Sequence, residues 1–178
     1  MSILDDIDAQ SSGAMFYRAD LHIHSYGGSH DVTDVAMTPE NIVATAIAER
    51  ISVISIADHN DISNVKLAIE IGERNGVIVI PGVELSTAQG HLLCYFPDYS
   101  RLAKFIAGLS IVDEGLPTSR CQQSILECLN VANAQGGFGI LAHVDVASGF
   151  EHDNPGGSPH KVDVICHPAL AGIELKQA

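Results

Sequence analysis

Residues Ala19 to Ser25 read Ala-Asp-Leu-His-Ile-His-Ser, a pattern that restricts the chain more than any other. On an extended strand side chains alternate between faces, so Ala19, Leu21 and Ile23 are expected on one side and Asp20, His22 and His24 on the other. An interior strand that aims three polar groups at one place needs a partner that solvates them. A divalent cation meets that need, and a half-exposed edge strand with two surface histidines is the plainer alternative.

The remaining histidines and acids favour the cation. Ser52 to Ala57 is a β-rich run ending in Asp58-His59-Asn60, and Val77 to Ile80 is a second, followed by Pro-Gly-Val-Glu84-Leu-Ser. His91 opens a third run, Leu92 to Phe96, and Phe138 to Ala142 leads into His143-Val-Asp145. Several strand-like segments thus place a His or an acid at an edge, a donor set suited to Zn, Mn or Fe. Between them lie helical patterns. Thr38-Pro39-Glu40 supplies an N-cap, a first-turn proline and an acid; further helices are expected over 63–75, closed by Gly76, and over 100–109 and 119–135. Alternating β and α segments predict parallel strands with crossover helices, in an open sheet or a barrel whose site gathers at the strand C-termini. Residues 144–161 are turn-rich and polar and read as a long loop or lid, with His152 and His160 as solvated loop residues.

Four of these segments, Asp-Leu-His-Ile-His-Ser at 20–25, Ala-Asp-His-Asn at 57–60, Pro-Gly-Val-Glu-Leu-Ser at 81–86 and Leu-Ala-His at 141–143, resemble in order and spacing the motifs of the PHP (polymerase and histidinol phosphatase) superfamily of metal-dependent phosphoesterases. The resemblance covers about 16–175, and the loops Ser29-His30-Asp31 and Gly90-His91-Leu92 are similar to PHP domains at the N-terminus of larger bacterial ATPase-bearing proteins. It implies one PHP domain over 1–178, folded as a distorted (β/α)7 TIM-like barrel, and up to three divalent metal ions. The metal ligands it implies are His22, His24, Asp31, His59, Glu84, His91 and His143, with His30 as an alternative to Asp31. Glu84 would bridge two metals, His91 and His143 would complete the second, and His59 would serve the third; Glu84, His59 and His143 are the catalytic candidates. Asp20 and Asp58 are expected to orient neighbouring histidines or accept backbone hydrogen bonds.

The family's closing Asp-x-His motif has no counterpart after His143: Asp163 and His167 stand four apart, and Glu174 sits in Gly-Ile-Glu-Leu. The barrel is therefore expected to be incomplete at its C-terminal side, as the front part of a longer protein or a short variant. The expected activity is hydrolysis of a phosphomonoester, a nucleotide or a nucleic-acid end. A non-catalytic, partner-binding PHP scaffold and a metal-dependent amidohydrolase are the alternatives.

Composition narrows the partners. A formal charge of −13 argues against general attraction to nucleic acid or anionic membrane, although bound cations would reverse the sign locally. No apolar run reaches bilayer-spanning length and the N-terminus is acidic, so a cytoplasmic location is expected. Cys94, Cys121, Cys128 and Cys166 form no Cys-x-x-Cys pair, and Cys121 and Cys128 are expected on one helix, packed in the core.

Overall fold

The computed structural model describes residues 16–154 and 156–176. Strand β1 (Ala19–Ile23) leads through helix α1 (Pro39–Ala48) to β2 (Val53–Ile56), and α2 (Val65–Asn75) leads to β3 (Ile78–Val79). These strands form a parallel sheet in the order β1-β2-β3. Both helices begin or end where their residues dictate. The Thr38 hydroxyl accepts the Asn41 N–H ahead of Pro39, and α2 stops at Gly76, whose φ of 75° lies in the left-handed region.

A second sheet, β4-β5-β8-β9, is mixed: β4 (Gly82–Thr87) and β5 (Gly90–Tyr95) form an antiparallel hairpin, β8 (Phe138–Leu141) pairs antiparallel with β5, and β9 (Leu170–Ile173) pairs parallel with β8. Helices α3 (Tyr99–Ala107) and α4 (Ile125–Ala134) connect these strands, with a small hairpin, β6 (Ile111–Val112) and β7 (Arg120–Cys121), between them. The end of β2 joins the two sheets, because the Asn60 N–H donates to the Glu84 carbonyl (2.9 Å) and the Glu84 N–H to the Asp58 carbonyl (3.1 Å).

The expected α/β architecture is present, but the described strands do not close into a barrel. No ladder joins β9 to β1 among the described residues, and the hairpins add antiparallel pairs that a simple βα alternation does not contain. Three apolar clusters fill the fold. Ile42, Val43, Ile54, Ile56 and Ala68 pack the first sheet against α1 and α2, and the largest cluster, including Leu85, Leu92, Phe105, Leu129 and Phe150, packs the second sheet against α3 and α4. Ala57, Leu93, Tyr95 and Ala142 lie between the sheets, where the Tyr95 hydroxyl donates to the Leu21 carbonyl at 2.8 Å.

Three local expectations change. The helix expected over 119–135 is shorter: Ser124 and Glu127 make a capping box that starts α4 at Ile125, and Arg120–Cys121 is a strand. Cys121 and Cys128 therefore lie on different elements, although both are buried and their sulfurs are 3.8 Å apart. The loop expected over 144–161 contains α5 (Phe150–Asp153) and the start of α6 (Pro159–Ile165), and Phe150 is buried in the main core. Among the described residues no helix is long and apolar enough to cross a membrane.

Candidate metal centre

A bulge in β1 creates the first part of the site. Asp20 pairs with Ile54 but Ile23 pairs with Ile56, so three steps along β1 match two along β2. The extra residue breaks the simple alternation. Asp20 and Ile23 line the groove beside α1, Leu21 joins the inner cluster, and His22 and His24 converge on Glu84. Asp20 is therefore not on the histidine face, as strict alternation predicts, and accepts only a long bond from the His22 backbone N–H (3.4 Å).

Glu84 is the centre of the site. Its neighbours Val83 and Leu85 turn outward into the main core, while Glu84, paired with Leu93, faces inward and is fully buried. Oε2 lies 3.0 Å from His22 Nε2, 2.9 Å from His24 Nε2 and 3.3 Å from His59 Nδ1. Oε1 lies 3.0 Å from both His91 Nδ1 and His143 Nε2. Burial alone would raise the Glu84 pKa, but the contacts with His143, His22, His24 and His91 hold it far below the usual carboxylate range.

Outer acids fix the rings. His22 Nδ1 lies 3.1 Å from both oxygens of Glu174, and His24 Nδ1 lies 3.1 and 3.0 Å from those of Asp31. The Ser29 hydroxyl donates to Asp31 at 2.6 Å. With the His22 Nδ1–H on Glu174, a deprotonated His22 Nε2 would aim its lone pair at Glu84 Oε2, only 3.2 Å from His24 Nε2, which faces the same oxygen. One proton cannot satisfy three converging acceptors. Ligands about 2.0–2.2 Å from a common ion stand roughly 3 Å apart, which is the spacing of this trio, so the donor set fits a divalent cation.

His22, His24 and Glu84 form one such grouping; His24, Asp31 and His59 form a second, and His59, Glu84 and His91 a third. His143 adds its Nε2 to Glu84, while its Nδ1 is buried without a hydrogen-bond partner among the described residues, and its ring packs against that of His91 at 5.0 Å. All seven expected ligands are thereby brought together. The acid in the first loop is Asp31; His30 is exposed and stacks on the His59 ring at 5.1 Å. Without a cation, burial works against protonation of His22, yet Glu84 and Glu174 raise its pKa to about 9. Burial lowers that of His59 to about 4, with His24 and His91 adding to the effect against the pull of Glu84. Metal loading must displace the His22 proton.

The supporting residues are only partly those expected. Asp58 is fully buried and accepts both the N–H and the hydroxyl of Ser25; burial raises its pKa to about 6 against those bonds. Asp163 and His167 lie away from the cluster, with His167 Nε2 3.2 Å from Asn130 Oδ1. His160 Nε2 lies 2.7 Å from Gln89 Nε2, outside the cluster. Glu174 is the support that the spacing of motifs did not assign. Besides holding His22, it accepts the His143 N–H at 3.1 Å, clamping a residue whose φ of 29° is strained for a side chain other than glycine. The available signal was an acid directly after the apolar strand β9. Glu174→Gln is expected to weaken metal affinity about 10- to 100-fold with the fold intact. Competition with a chromogenic chelator measures it, and an unchanged affinity would remove Glu174 from the metal's support.

Comparison with known proteins bears on the family and the fold. A protein of Methanocaldococcus jannaschii, itself uncharacterized, is 27% identical over 132 residues, 71% of this chain and 67% of that protein. A Bifidobacterium adolescentis structure, assigned to the metal-dependent phosphoesterases, superposes with a TM-score of 0.65 at 17% identity, covering 89% of this chain and 77% of the other. The lesion-specific endonuclease Q of Pyrococcus furiosus gives a TM-score of 0.59 at 17% identity over 91% of this chain; the match spans only 48% of that enzyme. At such identities the two structures share the fold. The PHP domain profile matches residues 20–165, which includes every ligand candidate, and the chain belongs to the PHP domain family.

Proposed function

We propose that the chain is a metal-dependent hydrolase of phosphoester bonds, with His22, His24, Asp31, His59, Glu84, His91 and His143 holding up to three divalent cations. The observation that carries this reading is the buried Glu84 carboxylate, engaged by imidazole nitrogens on both oxygens. One carboxylate shared in this way suits a bridge between two ions. The names of the Bifidobacterium and Pyrococcus relatives favour phosphoesters as the bond class, for a phosphomonoester, a nucleotide or a nucleic-acid end. In this reading the strands follow a (β/α)7-type barrel, open between β9 and β1.

Zn, Mn or Fe, when bound, supplies Lewis acidity toward a phosphoryl oxygen and a more acidic water. The chain's own work is positional. Glu174 holds the outer nitrogen of His22, so its inner nitrogen stays fixed. The Ser86 hydroxyl, 3.1 Å from His59 Nδ1, and the adjoining Asn60, with φ 54°, set the ring of His59. The Glu84 charge, His59 and His143 face the reacting region, and the inner cluster of Leu93, Tyr95 and Ala142 closes its floor to water.

Metal content per chain, measured by plasma mass spectrometry on protein purified without chelator or histidine tag, tests the reading. Two or more equivalents together with turnover of a phosphoester panel are expected. Less than one after reconstitution would overturn it, as would turnover confined to amides.

A further inference from the structure

Away from the histidine cluster, two thiols on different elements face one another. Cys121 on β7 and Cys128 in the first turn of α4 are 1% and 0% exposed, and their sulfurs stand 3.8 Å apart. The Cys121 thiol donates to Gln123 Oε1 at 3.3 Å, which leaves the Cys128 thiol to donate to the Cys121 sulfur. A buried thiol can be a small apolar filler, and Cys94, opposite Gly139 in the second sheet, is one. Cys121 differs from it in chemistry. The bond from Cys128 holds the Cys121 thiol below its usual range, whereas that bond and burial raise Cys128, and burial raises Cys94.

Access to this pair comes through the β6–β7 hairpin. Its strands are two residues each, Arg120 beside Cys121 is exposed, and Val112 and Leu116 stand out toward solvent. So small an element opens at lower cost than the sheets around it. The other partner stays in place, because the neighbours of Cys128 on α4, Ile125 and Leu129, are fully buried in the main core.

We propose that Cys121 and Cys128 are a modification site, which hydrogen peroxide converts to a reversible disulfide that staples the β6–β7 hairpin to α4. The Cys121 thiolate attacks one peroxide oxygen; the O–O bond breaks, leaving a sulfenic acid and, after protonation, water. The Cys128 sulfur then attacks the sulfenic sulfur, the S–O bond breaks, and a second water leaves with the Cys128 proton. Two thiols and one peroxide thus give one disulfide and two waters, with two electrons passing from sulfur to oxygen, and a dithiol reductant reverses the reaction. Closure draws the sulfurs from 3.8 Å to about 2.05 Å, and the shift falls on the small hairpin. Residues 117–120 of that hairpin stand beside His59 and His91, so the staple fixes one wall of the metal centre. The inference does not rest on the phosphoester reading.

The test treats the Zn²⁺-loaded full chain with hydrogen peroxide, zinc having no redox chemistry of its own, as wild type and as Cys166→Ser, which lacks the exposed thiol. Proteolysis after glutamate places the four cysteines on separate peptides, 85–114, 115–127, 128–151 and 152–174. Peptides 115–127 and 128–151 are expected to travel as one species until dithiothreitol is added. Amide exchange over 111–121 is expected to slow about 10- to 100-fold in the oxidised protein. Cys128→Ala should stop at a Cys121 sulfenic acid that dimedone traps; the digest of the other two proteins decides the matter if this variant does not fold. A link through Cys94, no link at all, or a Cys121–Cys128 disulfide that leaves hairpin exchange unchanged overturns the inference.

Discussion

Glu84→Gln is expected to lower bound metal by more than one equivalent per chain. Each carboxylate oxygen serves a different set of imidazoles: Oε1 faces His91 and His143, and Oε2 faces His22, His24 and His59. The amide keeps the shape and one carbonyl oxygen but removes the charge and turns an NH₂ group toward one of the two sets. That NH₂ group cannot coordinate a cation, and the surviving oxygen serves the other set as a weaker, neutral ligand. If the carboxylate bridges as proposed, both ions would lose affinity. Circular dichroism should show the fold retained, since Val83 and Leu85 keep the strand anchored in the core. Glu84→Asp keeps the charge on a shorter arm and should recover part of the metal. A loss of one equivalent or less from Glu84→Gln would mean that the carboxylate serves a single ion and that the bridge is wrong.

Phe150→Ala should be the most destabilising of the substitutions considered, by about 3–5 kcal/mol, the usual cost of emptying a fully buried phenyl site. Phe150 is 0% exposed although it starts a four-residue helix in a segment that reads as polar loop. The backbone around it is correspondingly close to its neighbours. A Cβ on Gly90, where φ is 117°, would come within 2.8 Å of the Phe150 nitrogen, and one on Gly149 within 2.4 Å of the Val144 carbonyl oxygen. The segment is thus seated directly on the β4–β5 turn. His143 stands at its root, so loosening the segment should also weaken metal binding. Urea titration of the metal-free proteins separates the two effects, with a lower midpoint at unchanged slope expected for Phe150→Ala. Phe16→Ala, at a side chain 94% exposed, should stay within about 0.5 kcal/mol of wild type. A Phe150→Ala cost below about 1 kcal/mol would show that the segment is not part of the core.

The open side between β9 and β1 gives Glu174 its importance. Where no ladder joins the two strands among the described residues, the Glu174 carboxylate just after β9 contacts His22 on β1. Glu174, held on β8 by backbone hydrogen bonds, thus links the end of β9 to His22 on β1, and for that reason Glu174→Gln is measured by chelator competition rather than by activity.

Some of this was legible in the chain as written. Ligand residue types and their placement at strand ends are local properties: histidine and carboxylate chemistry, two-residue alternation, and the turn and cap signals at Thr38, Gly76 and Gly136 are all read within a few positions. They sufficed for the family, the α/β class and the five histidines that meet at Glu84. What tertiary structure alone decided depends on contacts between distant segments. The β1 bulge sends Asp20 to the α1 side because β1 must match β2, a constraint that lies some 30 residues away. Phe150 is core because the β4–β5 turn lacks a side chain at Gly90, and Glu174 serves the site because β9 lies beside β8, whose end carries His143. Local chemistry named the candidate ligands; only the pairing of strands could bring Glu174 to them, since hydrogen bonds across 152 and 31 residues leave no periodic mark in the sequence.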